Sequence, residues 1–158
     1  MQNVETPAEQ AAFAASSSPD ATPAQEQYAA LCYRTDHGKR EILLITSRDT
    51  GRWVLPKGWP IKGLTPAESA AREAWEEAGV CGKPGKKCAG LYSYDKALGP
   101  EKAVHCVVSV YPIKVEKLRD NFPEAGQRKR KWFSPKKAAR NVAEPELSRL
   151  LLSLADKS

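Results

Sequence analysis

The feature that most constrains this chain is the run Arg72–Val80, in which an arginine and three glutamates fall within six residues. On an α-helix, at about 100° per residue, Glu73, Glu76 and Glu77 share one face. Beside that face lies a stripe of small side chains, those of Ala67, Ala70, Ala71, Ala74 and Ala78. Like charges spaced in this way destabilise a helix, and a hard divalent cation such as Mg²⁺ would relieve the repulsion. The alternative is a surface helix with a solvated acidic face.

The residues before this run predict where the helix begins. Thr65-Pro66-Ala67-Glu68 has the pattern of a capping box, with proline at the first helical position. Further upstream, the segment 53–60 predicts a short apolar strand followed by a loop rich in proline and glycine. A strand, a glycine loop and a carboxylate helix in succession favour a site for phosphate and metal.

The spacing of these residues resembles the Nudix box, G-x5-E-x7-R-E-U-x-E-E-x-G-U, where U is aliphatic. Gly58 occupies the first position, and the segment 72–80 supplies the second half of the motif. The first glutamate of the box is replaced by Leu64 in this chain. In the family the later glutamates bind the metal most consistently, so we expect the replacement to be tolerated.

The resemblance extends over roughly residues 27–155. The segments 30–34, 41–45, 51–56 and 128–133 resemble the diphosphoinositol and diadenosine polyphosphate phosphohydrolase branch of the Nudix hydrolases. The fold that this resemblance implies is an α/β/α sandwich with a mixed β-sheet. A coarse pattern of strands at 28–33, 42–47, 90–94, 104–115 and 131–133, with helices at 135–140 and 144–154, agrees with that fold class. The segment 96–102 is predicted to be a loop.

Composition indicates one domain preceded by a tail. Residues 1–26 are rich in alanine, serine, glutamine and proline, hold four acids and no bases, and are predicted to be disordered. Residues 27–158 then form the domain, which carries the whole of the chain's positive charge. The sequence has no secretory signal pattern and no apolar run long enough for a membrane helix. Its four cysteines form no CxxC pair, so we expect reduced thiols and a cytoplasmic protein.

The resemblance implies how the site would work. Glu73, Glu76 and Glu77 would hold Mg²⁺ or Mn²⁺, with the backbone carbonyl of Lys57 as a further ligand. Glu73 and Glu76 are also candidate catalytic residues, and Arg72, four residues before Glu76, could orient that carboxylate. The general base stays open between Glu73, Glu76 and a glutamate outside the box such as Glu101.

A second group of residues is predicted to bind a polyphosphate. Residues 127–140 hold seven lysines and arginines and no acid, and arginine forks match phosphate oxygens in pairs. Arg128 and Arg130 can share one face of a strand. The predicted substrate-binding residues are Arg34, Arg52, Lys57, Gly58, Arg128 and Arg130. A solvated basic surface or a nucleic-acid patch is the alternative.

Aromatic and histidine residues are weaker candidates. Trp53, Trp59 and Tyr92 could stack on a nucleobase, but such residues more often pack in a core or at its rim. His37 is interpreted as a turn residue and His105 as a hydrogen-bonded strand residue.

The substrate is the least constrained prediction. Inositol pyrophosphatases of this branch carry a basic cluster just ahead of the first strand, where this chain has Gln25-Glu26-Gln27. A dinucleoside polyphosphate or another nucleoside diphosphate derivative needs fewer cations and is favoured. The alternatives are an inositol pyrophosphate, a triphosphate-ended RNA, and a non-catalytic module that binds nucleotides or RNA.

Overall fold

The computed structural model describes residues 23–156. The predicted tail therefore lies mostly outside the described residues, but its last part does not. The first strand begins at Gln25, so Gln25 and Glu26 belong to the sheet rather than to a tail. No helix among residues 23–156 is long and apolar enough to cross a membrane.

The described chain contains nine strands, three α-helices and a short 3₁₀ turn. The first group of elements is β1 Gln25–Asp36, β2 Lys39–Thr46, β3 Trp53–Val54, β4 Lys57–Gly58, α1 Pro66–Ala78 and β5 Val80–Cys81. The second group is β6 Gly90–Gly99, β7 Lys102–Lys114, β8 Lys117–Leu118, β9 Arg130–Phe133, α2 Pro135–Asn141, α3 Pro145–Ser153 and the 3₁₀ turn Leu154–Asp156.

The main sheet is mixed. Strand β1 runs parallel to β7 and antiparallel to β2, and β6 continues the sheet antiparallel to β7. Strand β4 pairs with the first half of β1, while β3 and β9 both pair with β2. Strands β5 and β8 form a separate two-stranded ribbon.

Helices cover both faces of the sheet, which confirms the predicted α/β/α sandwich. On one face, α1 buries its alanines against β1 and β2, where Ala70, Ala74 and Ala78 have no exposed area. On the other face, α3 buries Leu147 and Leu151 in a larger cluster that also contains aromatic side chains.

Three local predictions can be compared with the structure. The hairpin turn at 36–39 is confirmed, with His37 in the left-handed region at φ 52°. The loop predicted at 96–102 is wrong, because β6 and β7 continue toward a turn at Pro100 and Glu101. The strand predicted at 104–115 is buried on one face only, since its side chains alternate between buried and more accessible positions.

Both ends of α1 are defined by caps. The Thr65 hydroxyl accepts a hydrogen bond from the Glu68 backbone N–H at 3.1 Å, and the Glu68 carboxylate accepts one from the Thr65 N–H at 2.9 Å. This is the predicted capping box. The helix ends at Gly79, whose φ of 71° lies in the region that favours glycine.

Candidate active site

A polar cavity of about 440 Å³ opens where α1 faces β4. Four of its lining side chains are acidic and four are basic, so polar groups of both signs surround one space. The charged members are Asp49, Glu73, Glu77, Glu124, Arg48, Lys57, Lys96 and Arg128. Gln27, Ser47 and Tyr94 add neutral polar groups, and Gly58 and Trp59 belong to the wall as well.

Gly58 allows α1 to approach the sheet closely. A Cβ atom at Gly58 would lie 2.5 Å from Cδ of Glu73 and 2.6 Å from its Oε2, well inside contact distance. A side chain at this first glycine of the motif would displace the Glu73 carboxyl group, which lies directly over the Gly58 backbone.

Glu73 and Glu77 form a hydrogen-bonded carboxyl pair on the cavity wall. Burial raises the pKa of Glu77 to about 9, and its hydrogen bond with Glu73 adds to the effect. The pKa of Glu73 is also raised, first by burial and then by the charges of Glu76 and Glu124. Without a cation, the pair therefore holds a proton at neutral pH.

Lys57 presents its backbone to this pair. Its N–H donates to Oε1 of Glu77 at 3.3 Å, while the neighbouring Pro56 carbonyl accepts from Ala30 N–H at 2.9 Å in the sheet. Hydrogen-bonding direction alternates along an antiparallel strand, and the N–H and C=O of one residue point to the same side. The Lys57 carbonyl is thus directed toward the side where Glu77 lies.

The Lys57 side chain lines the same cavity. Its Nζ lies 5.0 Å from the centre of the Tyr94 ring. Burial lowers the pKa of Lys57, and the negative charge of Glu77 opposes that shift. The cation is therefore partly desolvated and available to an anionic ligand.

Glu76 and Arg72 lie outside the lining of this cavity. Glu76 does not line the cavity, although its charge is felt at Glu73 on the same helix. Arg72 is exposed and forms no ion pair with Glu76 or with any other residue in the range 23–156. The expected orientation of Glu76 by Arg72 is absent because the arginine points to solvent. Leu64, in the position of the first box glutamate, lies in the turn before α1 and outside the cavity wall.

Arg128 lines the cavity, and it contacts a glutamate that sequence reasoning missed. Its Nε donates to Oε1 of Glu124 at 2.9 Å, its Nη1 donates to the Thr46 carbonyl at 3.2 Å, and its Nη2 lies 3.9 Å from Oε1 of Glu77. The (i, i+4) spacing of Glu124 and Arg128 was the available signal. Glu101, the glutamate named from the sequence, sits in the β6–β7 turn and does not line the cavity.

The other predicted arginines lie outside this cavity. Arg34 donates to Glu41 at 2.8 Å and stacks over Trp132 at 4.1 Å. Arg52 lines an adjoining cavity of about 240 Å³. Arg130 donates to the backbone carbonyl of Ala78, at the end of α1, and to that of Arg119, so its guanidinium is not directed to a ligand in the cavity. Alternation along a strand placed Arg128 and Arg130 together, but β9 begins only at Arg130.

Gln27 and Tyr94 were also missed. Gln27 is 3% exposed, and its Oε1 accepts a hydrogen bond from the Tyr94 hydroxyl at 2.7 Å. They come from β1 and β6, whose proximity depends on the sheet rather than on any spacing in the sequence.

The aromatic and histidine candidates separate clearly. Tyr92 is 2% exposed and belongs to the core, whereas Trp59 is 42% exposed at the cavity wall. Trp53 packs edge to face on Phe133 with ring centres 5.1 Å apart. His105 is hydrogen-bonded to Asp95 at 2.8 Å across the β6–β7 hairpin, as expected for a satisfied strand histidine.

The residues present fit a divalent cation. Two adjacent carboxyl groups that share a proton, with a backbone carbonyl directed to their side, form an oxygen-rich set suited to Mg²⁺ or Mn²⁺. Among residues 23–156, no three acidic, histidine or cysteine side chains are already arranged as a metal centre.

Comparison with known proteins defines the class. The model of the NUDIX domain matches residues 25–154, so this chain belongs to the Nudix family. It is 31% identical to human diphosphoinositol polyphosphate phosphohydrolase 3-alpha over 111 residues, which cover 69% of this chain and 63% of that protein. It is 30% identical to diphosphoinositol polyphosphate phosphohydrolase 2 of Rattus norvegicus over 58% of that protein. The chain therefore spans about three fifths of the length of these relatives.

Solved structures confirm the fold. An Ap4A hydrolase from C. elegans in a binary complex has a TM-score of 0.61 at 21% identity, covering 82% of this chain and 94% of that one. The NUDIX domain of Shewanella oneidensis NrtR, solved with ADP ribose, has a TM-score of 0.59 at 16% identity and covers 94% of this chain and 97% of that one. The expected branch resemblance is supported by the phosphohydrolase relatives.

Proposed function

We propose that this chain is a Nudix pyrophosphohydrolase that uses Mg²⁺ or Mn²⁺ to cleave a phosphoanhydride bond in a dinucleoside polyphosphate. The observation that carries the proposal is the hydrogen-bonded Glu73–Glu77 pair, which lies against the Gly58 and Lys57 backbone. Four basic side chains line the same cavity. The pair supplies negative oxygens for a metal, and the cations supply positive charge for phosphates.

Each side chain has a separate task in this proposal. Bound Mg²⁺ or Mn²⁺ would supply charge neutralisation and an activated water. Glu73, Glu77 and the Lys57 carbonyl would hold the metal, and Glu76 would join them only after its side chain turns toward the cavity. Arg128 and the Lys57 ammonium group would bind phosphate oxygens.

Glu124 is a better placed proton acceptor than Glu101. Its carboxylate lines the cavity, is 21% exposed and accepts a hydrogen bond from Nε of Arg128 at 2.9 Å. An ionised carboxylate at the cavity wall can take a proton from an attacking water. Glu73 and Glu76, the candidates inside the box, stay open beside it.

The adjoining cavity favours a nucleoside end over a highly phosphorylated ring. It shares Lys57, Tyr94 and Lys96 with the main cavity and adds Trp53, Arg52 and the carboxylates of Asp95 and Glu144. Those carboxylates would repel additional phosphates, while ribose hydroxyls and a base can accept or donate hydrogen bonds there. The neutral Gln27 amide on the wall of the main cavity adds no positive charge for further phosphates, which also favours a nucleoside end.

An inositol pyrophosphate is the second candidate substrate, because the curated relatives are named for diphosphoinositol polyphosphates. A charge-reversing variant separates the two. Glu144→Lys is expected to increase turnover of an inositol pyrophosphate relative to diadenosine tetraphosphate. If wild-type protein already prefers the inositol substrate, the dinucleoside assignment is wrong and the reaction class stands.

The direct test is product release by the purified protein with Mg²⁺, with Mn²⁺ and with EDTA. The panel comprises diadenosine polyphosphates, nucleoside triphosphates, ADP-ribose, inositol pyrophosphates and triphosphate-ended RNA. Glu76→Gln and Glu77→Gln are compared with Glu116→Gln, which changes an exposed glutamate outside the cavity. Cation-dependent turnover lost in the first two variants and retained in the third supports the proposal.

Binding without turnover on the whole panel would instead indicate a non-catalytic nucleotide module.

The cellular compartment is part of the same proposal. All four cysteines are free thiols, with Cys32 and Cys106 buried, and this supports a reducing cytoplasm.

A further inference from the structure

Arg130 lies outside the cavity but makes the most extensive set of short contacts of any arginine in the described chain. Its Nη1 donates to the carbonyls of Ala78 at 2.7 Å and of Arg119 at 2.6 Å. Its Nη2 donates to Oδ1 of Asp120 at 2.6 Å, and the guanidinium lies 5.0 Å from the Phe122 ring centre. One side chain therefore joins the end of α1 to the segment 119–122.

The end of α1 needs such a partner. The last turn of the helix contains no basic residue, and its terminal carbonyls have no N–H donors within the helix. A cation at this end is favourable because the helix dipole places partial negative charge there. Arg130, which begins β9, supplies both the charge and a donor for the Ala78 carbonyl.

Gly79 leaves the space in which this contact is made. A Cβ at Gly79 would lie 2.5 Å from the Arg119 carbonyl oxygen, 2.6 Å from Cδ1 of Phe122 and 2.8 Å from Nη1 of Arg130. The last glycine of the box is thus required by the close approach of another segment as well as by its positive φ.

The segment held in this way leads directly into the active site. Arg119 N–H donates to the Gly79 carbonyl at 2.9 Å, and Glu124 N–H donates to the Glu76 carbonyl at 3.0 Å. The loop 119–128 therefore rests on the same turn of α1 that carries Glu77. At its far end, Glu124 and Arg128 enter the cavity.

We propose that Arg130 is a positioning residue that clamps the loop 119–128 to the C-terminal turn of α1 and so holds Glu124 and Arg128 in register with the Glu73–Glu77 pair. The inference rests on the proposed function of that cavity. Arg130 itself touches no substrate in this proposal. A residue that only capped α1 would stabilise the helix without controlling the loop.

A double-mutant cycle distinguishes these two roles. The four proteins are wild type, Arg130→Met, the double variant Glu124→Gln/Arg128→Met, and the triple variant that combines all three changes. Misplacing Glu124 and Arg128 should lower kcat/KM for diadenosine tetraphosphate by between about 10-fold and 100-fold in Arg130→Met. If positioning is the role, the same change in the triple variant costs less than about 3-fold, because the positioned groups are already gone. An equal loss in both backgrounds overturns the proposal.

Three further variants serve as comparisons for Arg130→Met. Arg130→Lys retains the charge but not the fork, so its activity should lie between wild type and Arg130→Met. Asp120→Asn removes only the exposed arm of the clamp and should cost less than about 2-fold. Arg40→Met is the matched control, because Arg40 also stacks on an aromatic ring, 4.8 Å from the Tyr33 ring centre, but lies on β2 away from the loop. A loss in Arg40→Met equal to that in Arg130→Met contradicts the proposal.

A second measurement is independent of turnover. Hydrogen exchange at the backbone amides of Arg119 and Glu124 should accelerate in Arg130→Met, while exchange early in α1 stays unchanged. Unchanged protection of the loop overturns the clamp even if no substrate is found. If wild type turns over no panel member but the loop amides lose protection, the proposed function fails and the clamp stands.

Discussion

The two helical layers of this protein bury their sides of one sheet in different ways. Helix α1 packs through alanines, so its backbone lies close to the strands and its glutamates reach Gly58 and Lys57. Helix α3 packs through Leu147 and Leu151 on the other face, where the larger cluster lies. Small side chains let the helix backbone lie close to the sheet, so that its carboxyl groups reach the β4 backbone. Large side chains bury more apolar area and so contribute more to stability.

The largest expected effect is on catalysis from the α1 side. Glu77→Gln should lower kcat by about 1,000-fold or more, equivalent to about 4 kcal/mol of transition-state stabilisation. Stability in EDTA at pH 8 should not fall, because the variant removes a carboxyl group whose ionised form is disfavoured by burial. Steady-state kinetics and thermal unfolding of the same preparation check both parts. If Glu77→Gln lost as much stability as a core variant, the proposed difference between the α1 and α3 layers would be wrong.

The opposite layer should show the reverse. Leu151→Ala removes a fully buried side chain and should cost about 3 kcal/mol of unfolding free energy. Activity per folded molecule should stay within about 2-fold of wild type. Urea unfolding and active-site titration measure the two quantities separately. A large fall in kcat per folded molecule would show that the α3 layer also shapes the site.

A glycine on each face provides a matched pair. Gly58→Ala should lower kcat/KM by about 100-fold, because the new methyl group would occupy the position of the Glu73 carboxyl group. Gly90→Ala, on β6 under α3, meets only the flexible end of Leu150 at 3.1 Å and should leave kcat/KM within about 2-fold. The two variants are compared in the same assay. Similar losses in both would remove the distinction.

The pH dependence of stability should also belong to the α1 side. The pKa of Glu77 rises from 4.5 to about 9 on folding, so its contribution is fully present below pH 4.5 and is lost as pH rises toward 9. In EDTA, unfolding free energy should therefore fall with rising pH in this window. Saturating Mg²⁺ should oppose the fall, and Glu77→Gln should flatten it. If the unfolding free energy of Glu77→Gln fell as steeply with pH, the pH dependence would have to come from other titratable groups.

The smallest effect is expected at the start of α1. Thr65→Ala removes the hydroxyl that accepts from Glu68 N–H and should cost about 1 kcal/mol. Because the site lies toward the other end of the helix, kcat should change by less than about 2-fold. Thermal unfolding and kinetics at saturating Mg²⁺ test this. A fall in kcat much larger than that would show that fraying at Thr65 reaches Glu73.

The sequence by itself determined the parts that depend on local spacing. The capping box, the helix start at Pro66, the common face of the glutamates and the 36–39 hairpin follow from neighbours within a few residues. The motif spacing also determined the family, because it records how far a glycine must lie from a carboxylate helix. The segment 96–102 was wrongly predicted to be a loop, since a Gly-Pro pair marks a turn but does not show how far the flanking strands extend.

Tertiary structure alone decided which polar residues share the cavity. Gln27, Tyr94 and Glu124 reach it from β1, β6 and the loop 119–128, and no sequence period relates these segments. Arg130 is the reverse case. Strand alternation predicted that it binds a phosphate, but in the structure its guanidinium donates to the Ala78 carbonyl at the end of α1. Local spacing fixes the direction of a side chain on its own element. Packing between distant segments decides what that side chain meets.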